Sequence, residues 1–241
     1  MANKIDRRRH YVLVLDTETA NTHIGENGSL DMRDVLVYDL GMQVVDTRGN
    51  VYEEVSLVNR DIFVNERELM KSAYYAEKIP RYVEDLRDGS RVMSSTYEMR
   101  KTMIDLLEKY GIKEVAAHNS RFDLNALNTT QRYVTKSKYR FFFPCGIEIW
   151  DTMKMASDTI CKQKRYIKFC QKHGYVTQTG RVRRTAEVLY RYITKDSTFQ
   201  ESHTGLEDVQ IEARIMVHCM RQHKPMRKKL FEKGVDKPLT A

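Results

Sequence analysis

The sequence predicts an α/β fold in which helices flank a mixed central sheet, with three antiparallel strands first and parallel strands after them. One observation behind this prediction is a set of three strand-like segments near the N-terminus, at residues 11–15, 35–46 and 51–59. A second is that helical and strand-like patterns alternate later in the chain. A third is size, because 241 residues with 41% apolar side chains can bury a full core.

The three N-terminal strands are predicted from their composition and from the turns between them. Residues 11–15, YVLVL, are apolar on both sides, which is typical of a strand buried on both faces. Residues 21–33 are polar, contain two glycines and are predicted as a loop. Residues 47–50 are predicted as a hairpin-type turn between the second and third strands.

Helical patterns begin near Glu66 and alternate with strand patterns from there on. The clearest helix covers residues 95–110, whose apolar side chains share one helical face, and Gly111 is predicted to end it. The elements predicted after it are a strand at 113–117, a helix to 133, a strand at 141–150, and helices at 152–161, 186–192 and 205–222.

The domain organisation predicted from these patterns is simple. Residues 1–222 are predicted as a single domain with insertions near 21–34 and 162–184. Residues 223–241 are predicted as a basic C-terminal tail, whose end we expect to be disordered. The sequence contains no internal repeat and no low-complexity block.

Charge and composition favour a soluble protein with an acidic partner. The net charge of +8 and the pI near 9.2 suit nucleic acid or an anionic surface. Neither a secretory signal nor an apolar stretch of about 18 residues is evident. We therefore expect a cytoplasmic protein of a bacterial cell or a phage-infected host, and the Tyr-, Met- and Lys-rich composition suits a bacteriophage. The cysteines lack paired spacing and are expected to stay reduced: Cys145, Cys161, Cys170 and Cys219.

Asp16 and Glu18 are the first candidate functional residues. They lie two residues apart on the first predicted strand or just past it, so period two places both carboxylates on one face. Two like charges this close repel each other, and a hard divalent cation such as Mg²⁺ or Mn²⁺ would relieve that repulsion. The alternative is a solvated strand end with turn-forming residues.

Asp123 and His118 lie after a later predicted strand, in AHNSRFD. Ser120 and Asp123 have the spacing of a capping box, so Asp123 has an alternative role at the start of a helix. His118 is interpreted as a satisfied buried histidine and receives no catalytic role.

His203 and Asp208 lie at the start of the last predicted helix. Thr204 and Glu207 have capping box spacing, so the helix is predicted to begin near Gly205 with Asp208 in its first turn. His203 would then lie in the loop just before the helix. The alternative is a surface loop with ordinary helix-capping acids.

The order of these three motifs carries a more specific signal than any one of them. D-T-E on the first strand, H-N-x-x-F-D after a later strand and H-x-x-x-x-D at the last helix resemble the motifs of the DEDDh family of 3′–5′ exonucleases. That family includes the proofreading subunit of bacterial DNA polymerase III and ribonuclease T. The resemblance covers residues 16–208 and implies a ribonuclease H-like fold. Asp151 and Thr152 resemble the strand-end D-T of the family, which we interpret as structural, and Gly205 stands where the family often has alanine, which we interpret as a tolerable exchange.

The resemblance also implies roles for individual residues. The residues implied to hold two divalent metals, Mg²⁺ or Mn²⁺, are Asp16, Glu18, Asp123 and Asp208, with His203 as the general base. Residues around the first motif contact the 3′-terminal nucleotide in the family, which assigns Thr17 and Thr19 to the substrate. Asn119 is a further candidate for the same contact. All three have the alternative role of capping or turning the chain.

The basic segment at 162–184 has two interpretations. Its Lys and Arg side chains are predicted to contact phosphates, and its aromatic residues either stack on unpaired bases or pack on the core. A zinc site formed by Cys161, Cys170 and His173 is disfavoured, because no second ligand pair completes it.

The predicted function is a 3′–5′ exonuclease that acts on single-stranded nucleic acid, with DNA favoured over RNA, and releases nucleoside 5′-monophosphates. Its expected partners are single-stranded 3′ ends, and a polymerase or replication complex is a candidate. Two alternatives stay open: a catalytically silent nucleic-acid-binding or polymerase-associated accessory protein, and a small-RNA exoribonuclease. The sequence does not predict an oligomeric state.

Overall fold

The computed structural model describes residues 5–24, 30–31, 33–71, 73 and 76–231. The strands are β1 (Tyr11–Ala20), β2 (His23–Ile24), β3 (Leu30–Asp31), β4 (Leu36–Asp46), β5 (Val51–Asn59), β6 (Val92–Ser94), β7 (Glu114–Ala117) and β8 (Glu148–Asp151). The helices are α1 (Arg60–Phe63), α2 (Arg67–Lys71), α3 (Ile79–Asp88), α4 (Thr96–Tyr110), α5 (Arg121–Thr135), α6 (Thr152–Asp158), α7 (Lys164–Lys172), α8 (Ala186–Thr194) and α9 (Gly205–Met220). A short 3₁₀ helix at Ala76–Lys78 precedes α3.

The central sheet has the predicted mixed topology. Its six strands lie in the order β6-β5-β4-β1-β7-β8. β1, β4 and β5 are antiparallel, whereas β7 and β8 continue parallel to β1. β6, which was not predicted, extends the other edge parallel to β5. A separate two-stranded ribbon, β2 with β3, lies within the segment predicted as a loop, and residues 25–29 and 32 of that segment lie outside the described residues.

β1 is apolar on both sides because helices cover both faces of the sheet. Leu13 and Leu15 pack into a cluster with side chains of α4 and α5. Val12 and Val14 point to the other face and pack with side chains of α6, α8 and α9. None of these four side chains is more than 1% exposed. The central strand is thereby held on both faces, and the side chains near its C-terminal end have a fixed position.

One strand is longer than its apolar run predicts and another is shorter than predicted, for local reasons. β1 continues to Ala20, because it pairs with β4 through the D-T-E motif, so the first two candidate acids lie within the strand. The strand predicted at 141–150 is only β8, since Pro144 cannot continue a ladder and Gly146 has a φ of 86°. α4 begins after its capping residue Ser95 and ends at left-handed Gly111, as predicted.

The two basic segments have different structures. Residues 162–184 contain α7 and a ribbon closed by a bridge between Val176 and Val182. The described part of the predicted tail packs along β8, where the Leu230 amide donates to the Ile149 carbonyl at 2.8 Å. The predicted disorder at 232–241 lies outside the described residues. No helix in the described part of the chain is long and apolar enough to cross a membrane.

Candidate active site

Asp16 and Glu18 lie on one face of β1, where the strand reaches the edge of a cleft. Glu18 is opposite Asp39 of β4, and the register of the two strands shifts immediately after it. Such irregularities bend a strand locally and redirect its side chains. Glu18 is buried, with 8% of its surface exposed, and Asp16 is partly buried.

α9 brings Asp208 to these two acids because its first residue lies directly on β4. A Cβ on Gly41 would lie 2.2 Å from the carbonyl carbon of Gly205, so the two backbones approach as closely as glycine allows. The carboxylates of Asp16, Glu18 and Asp208 thereby converge, with ligand oxygens within 4.8 Å of one another.

A buried ion pair fixes the start of α9 from the other side. Asp39 Oδ2 accepts from the Gly205 amide at 2.9 Å and from the Tyr82 hydroxyl at 2.7 Å. Arg91 lies 3.2 Å from the same carboxylate oxygen and also pairs with Glu207 at 3.0 Å. Asp39 and Arg91 have side-chain exposures of 0% and 3%, so this network ties β4, the turn before β6 and α9 together inside the protein.

The start of α9 is where the sequence predicts it, but its capping differs. The Thr204 hydroxyl donates to Glu207 at 2.6 Å and makes no side-chain bond to the helix amides. The Asp208 amide instead donates to the Thr204 carbonyl at 3.0 Å. An alanine at Gly205 would place its Cβ 2.7 Å from the Gly41 nitrogen, so the exchange interpreted as tolerable requires the backbone to move.

Asp123 is a buried acid of the cleft and does not cap α5. Ser120 has φ −52° and ψ −14° and makes no capping bond, which contradicts the capping box interpretation. The Asp123 carboxylate instead accepts from the Thr17 hydroxyl at 2.8 Å. Thr17 thereby links β1 to α5 and orients the Asp123 carboxylate.

Burial raises the pKa of all four predicted carboxyl groups. The pKa of Asp208 rises to about 8 and that of Asp123 to about 7, with desolvation the largest cause at each. The pKa values of Asp16 and Glu18 rise well above the ordinary range, first through desolvation and then through neighbouring carboxylates. An uncompensated cluster of this kind favours either protons or a cation.

The donor set fits a hard divalent cation. The ligands are carboxylate oxygens, which Mg²⁺ and Mn²⁺ prefer. Asp208 Oδ1 is buried and has no hydrogen-bond partner among the described residues, so one carboxylate oxygen of the cluster is unsatisfied. An orphaned buried carboxylate oxygen is costly unless a cation or a proton neutralises it.

His203 lies in the loop before α9, with 37% of its side chain exposed and a φ of 52°. Its Nδ1 lies 3.9 Å from Glu201 Oε2. Burial lowers the pKa of His203, and the ammonium of Lys78 lowers it further. The ring is therefore neutral at pH 7, the state in which it can accept a proton.

The predicted substrate contacts line the same cleft as the acids. The Thr19 hydroxyl lies 2.7 Å from that of Thr22, and Asn119 is exposed with a left-handed φ of 65°. Asp151 caps α6 by accepting from the Met153 amide at 2.9 Å, which is the structural role that the sequence predicts for it.

His118 is satisfied, as its sequence interpretation states. Its Nε2 lies 2.7 Å from the Arg184 carbonyl oxygen and its Nδ1 lies 2.8 Å from the Thr152 hydroxyl. A carbonyl only accepts, so Nε2 carries the proton and Nδ1 accepts from Thr152. Burial lowers the pKa of this ring and keeps it neutral.

Three charged residues of the site were missed by sequence reasoning. Glu212 is 3% exposed, accepts from the His118 amide at 2.9 Å and raises the pKa of Asp16. It follows Asp208 by one helical turn, and that spacing was the available signal. Glu201 and Lys78 come from loop and 3₁₀ segments, where no periodic pattern marks them.

The cleft is lined by both acidic and basic side chains. Its volume is about 820 Å³. Arg183 and Arg184 are exposed and line the same cleft as the predicted acids. Tyr166 is fully buried in the core, which supports the packing interpretation for this aromatic side chain. The described residues contain no metal-ligand group with Cys161 or Cys170, both free thiols, so the disfavoured zinc site is not formed there.

Comparisons with known proteins show a fold shared with nucleases. No protein-family model matches the chain, and no curated protein matches it. A 3′-exonuclease studied for 3′-end-specific recognition of the histone mRNA stem-loop is 15% identical, with a TM-score of 0.59 over 94% of this chain and 69% of that one. A full-length 3′-exonuclease is 14% identical, with a TM-score of 0.54 over 95% and 66%. An exonuclease I from Methylocaldum szegediense is 19% identical, with a TM-score of 0.47 over 89% and 41%.

The likeness to the two 3′-exonucleases supports the predicted fold, a mixed central sheet flanked by helices. The chain spans about two thirds of the length of those two proteins and less than half of exonuclease I. At these sequence identities the likeness is one of fold alone.

Proposed function

We propose that this protein is a 3′–5′ exonuclease that hydrolyses single-stranded nucleic acid, preferably DNA, and releases nucleoside 5′-monophosphates. The observation that carries the proposal is the convergence of Asp16, Glu18 and Asp208 within 4.8 Å, with one buried oxygen unsatisfied. This cluster lies in a cleft that arginine side chains also line. An acidic cluster for cations beside a cationic wall for phosphates suits phosphodiester hydrolysis.

The residues that would hold two divalent ions are Asp16, Glu18, Asp123 and Asp208. When bound, Mg²⁺ or Mn²⁺ would stabilise charge on the attacking and leaving oxygens and would acidify the attacking water. The Thr17 hydroxyl keeps Asp123 turned toward the cluster. Glu212 lies behind these acids and fixes the His118 amide, so it supports the connection between β7 and α5.

His203 would act as the general base. Its neutral ring, which lines the cleft, would take the proton of the attacking water. It lies in the loop directly before α9, close in sequence to Asp208. Thr17, Thr19 and Asn119 are proposed to contact the terminal nucleotide from β1 and from the start of α5.

RNA is the alternative substrate, and a specific observation favours testing it. One 3′-exonuclease with the same fold was studied with the histone mRNA stem-loop. Discrimination between DNA and RNA needs only one or two contacts to the 2′-hydroxyl. A polymerase or replication complex is proposed as a partner only on the family resemblance. The cytoplasmic location and the phage source are proposed only on the composition of the sequence.

The test is a cleavage assay with 5′-labelled single-stranded DNA and RNA of one sequence, in Mg²⁺ or Mn²⁺. We expect a ladder that shortens by one nucleotide at a time, disappears on chelation and is abolished by Asp16→Asn. Asp105→Asn is the matched control, because Asp105 is exposed on α4 and pairs only with Lys101 among the ion pairs of the described residues. Internal cuts would contradict the exonuclease, and tight binding of both polymers without cleavage would support the silent accessory protein.

A further inference from the structure

We propose that the ribbon between α7 and α8, residues 175–185, is a phosphate-binding wall that holds the single strand upstream of its 3′ end. Arg183 and Arg184 are its main contacts, and their ligand is the sugar-phosphate backbone of DNA or RNA. This inference rests on the proposed function for the direction of the strand. The binding site itself is argued from charge and geometry.

The charge of this segment is uncompensated. Residues 159–186 contain eight Lys and Arg and no Asp or Glu, in a chain whose net charge is +8. Among the ion pairs of the described residues, only Lys162 of these eight cations has a carboxylate partner. Elsewhere in the described residues, cations such as Arg8, Arg81 and Lys101 are paired with carboxylates. A cationic strip without internal partners is an electrostatic footprint for a polyanion.

The ribbon has a defined shape. The Thr177 amide donates to the Arg181 carbonyl at 2.8 Å, and the Gly180 amide donates to the Thr177 carbonyl at 2.9 Å. The Arg183 amide donates to the Tyr175 carbonyl at 2.9 Å and closes the base of the turn. The arginines are therefore presented from a hydrogen-bonded backbone, which reduces the conformational entropy lost on binding.

Two buried rings anchor the ribbon to the rest of the site. The Tyr166 hydroxyl donates to the Arg183 carbonyl at 2.6 Å. His118 Nε2 donates to the Arg184 carbonyl at 2.7 Å, from the residue that directly follows β7. His118 is thus connected to Glu212 by its amide and to the ribbon by its ring, which links the ribbon to the acidic part of the cleft.

The side chains on the wall remain available for a ligand. Arg183 and Arg184 are exposed and line the cleft that contains Asp16 and Asp208. Arg184 Nη1 contacts the Ser157 hydroxyl at 3.2 Å, and a guanidinium has five N–H donors, so donors remain for phosphate. The acids repel upstream phosphates, and cations that line the same cleft would offset that repulsion.

The test measures binding without turnover. The probe is a 5′-fluorescein-labelled single strand of about 12 nucleotides, titrated in EDTA by anisotropy from ~50 to ~200 mM salt. Arg183→Gln/Arg184→Gln is compared with Arg48→Gln/Lys224→Gln. The second pair of side chains is also exposed and lies beside the β4–β5 turn, at the end of β1 opposite to Asp16. Both variants remove two charges.

We expect the wall variant to bind about tenfold more weakly, as for lost hydrogen bonds between charged groups. The slope of log K against log salt should become shallower by about 1.4, or ~0.7 for each lost phosphate contact. The single variant Arg183→Gln should show about half of the slope change, which guards against a folding defect in the double variant. An unchanged slope, or equal losses in the wall and control variants, would overturn the proposal.

The two proposals can fail separately. If the wall variant binds more weakly but the protein cleaves neither polymer, the proposed phosphate-binding wall stands and the proposed exonuclease activity fails. If the protein shortens its substrate but binds equally well with and without the two arginines, the exonuclease proposal stands and the wall proposal fails.

Discussion

Lys78 holds the loop that carries His203. Its ammonium donates hydrogen bonds to the carbonyl oxygens of Ser202 and His203, the second at 3.4 Å. The same ammonium lowers the pKa of the His203 ring, after burial, and lowers the pKa of Asp208 against the larger effect of desolvation. A residue of the 3₁₀ segment before α3 thus acts on both the base and the acids through position and charge.

Lys78→Met should lower kcat and shift the pH profile. Loss of the ammonium removes one of the two effects that lower the pKa of His203, so this pKa rises and the acidic limb of the kcat profile moves to higher pH. The released loop should lower kcat about tenfold, in the range of lost general-base positioning. The measurement is kcat against pH from about 5 to 9, bracketing the ordinary histidine pKa.

Lys78→Arg keeps the charge and should restore the position of the acidic limb. Lys71→Met is the matched control, because Lys71 is an exposed lysine of α2 that pairs with Glu68. A purely structural role would lower kcat in Lys78→Met without moving the limb, and that outcome would refute the electrostatic link to His203.

Divalent ions should stabilise the protein more at pH 8 than at pH 6. The raised pKa of Asp208, about 8, means that the metal-free fold keeps this proton while the unfolded chain loses it near pH 4. Without metal, stability therefore falls as the pH rises from about 4 to about 8. A cation binds the ionised form, so its contribution grows over the same window. At 100 times its Kd an ion adds about 2.7 kcal/mol, or roughly 5–10 °C in Tm.

Asp208→Asn separates this effect from general salt stabilisation. Without metal it should raise the Tm at pH 8, because a buried carboxylate is replaced by a neutral amide. It should also remove the Tm rise in Mn²⁺. Asp105→Asn, an exposed change, should leave both values as in the unchanged protein. An equal metal-induced Tm rise in both variants would mean that the ion binds elsewhere.

The positions of Asp16 and Asp208 could be predicted because each follows a strong local pattern. An apolar strand precedes Asp16, and a helix start with an apolar face surrounds Asp208. The family resemblance of the ordered motifs then implied that both residues belong to one site. The same local reasoning failed at residues 141–147, where the aromatic run FFF suggested a strand. Only Phe142 of that run is buried, as a side chain packed from an irregular segment.

The parts of the site that were not predicted depend on contacts between distant segments. Lys78 reaches His203 across more than a hundred residues, and Arg91 reaches Asp39 and Glu207 from a turn without any motif. A sequence pattern predicts which side chains share one face of a helix or strand. It does not predict which charged side chain a distant segment will place against that face. Such contacts follow only from the packed fold.

Arg91→Met should destabilise the protein by about 3 kcal/mol, because it leaves the Asp39 carboxylate buried without its cation. Asp39→Asn/Arg91→Met should recover much of this loss, since no unpaired charge remains. Urea unfolding of the two single variants and the double variant measures the coupling. Arg8→Met, which breaks an exposed pair with Asp6, is the control and should change stability by less than about 0.5 kcal/mol. Additive losses at the two positions would argue against a coupled buried network.

Gly205→Ala should impair both stability and catalysis. The added Cβ would lie 2.7 Å from the Gly41 nitrogen and 3.2 Å from Asp39 Oδ2, so the start of α9 must move away from β4. Overpacking of this kind destabilises a protein by about 1–3 kcal/mol. Because Asp208 lies in the first turn of α9, the same movement separates it from Asp16, and kcat should fall beyond what the stability loss explains.

Gly111→Ala provides the comparison, since Gly111 ends α4 with a φ of 64° and has open space around it. It should lose about 1 kcal/mol through backbone strain and keep the kcat of the folded enzyme. Urea unfolding and kcat, measured on both variants at a temperature where each is folded, separate the two effects. If Gly205→Ala kept full kcat while losing stability, the close approach of α9 to β4 would support the fold without setting the distance between the acids.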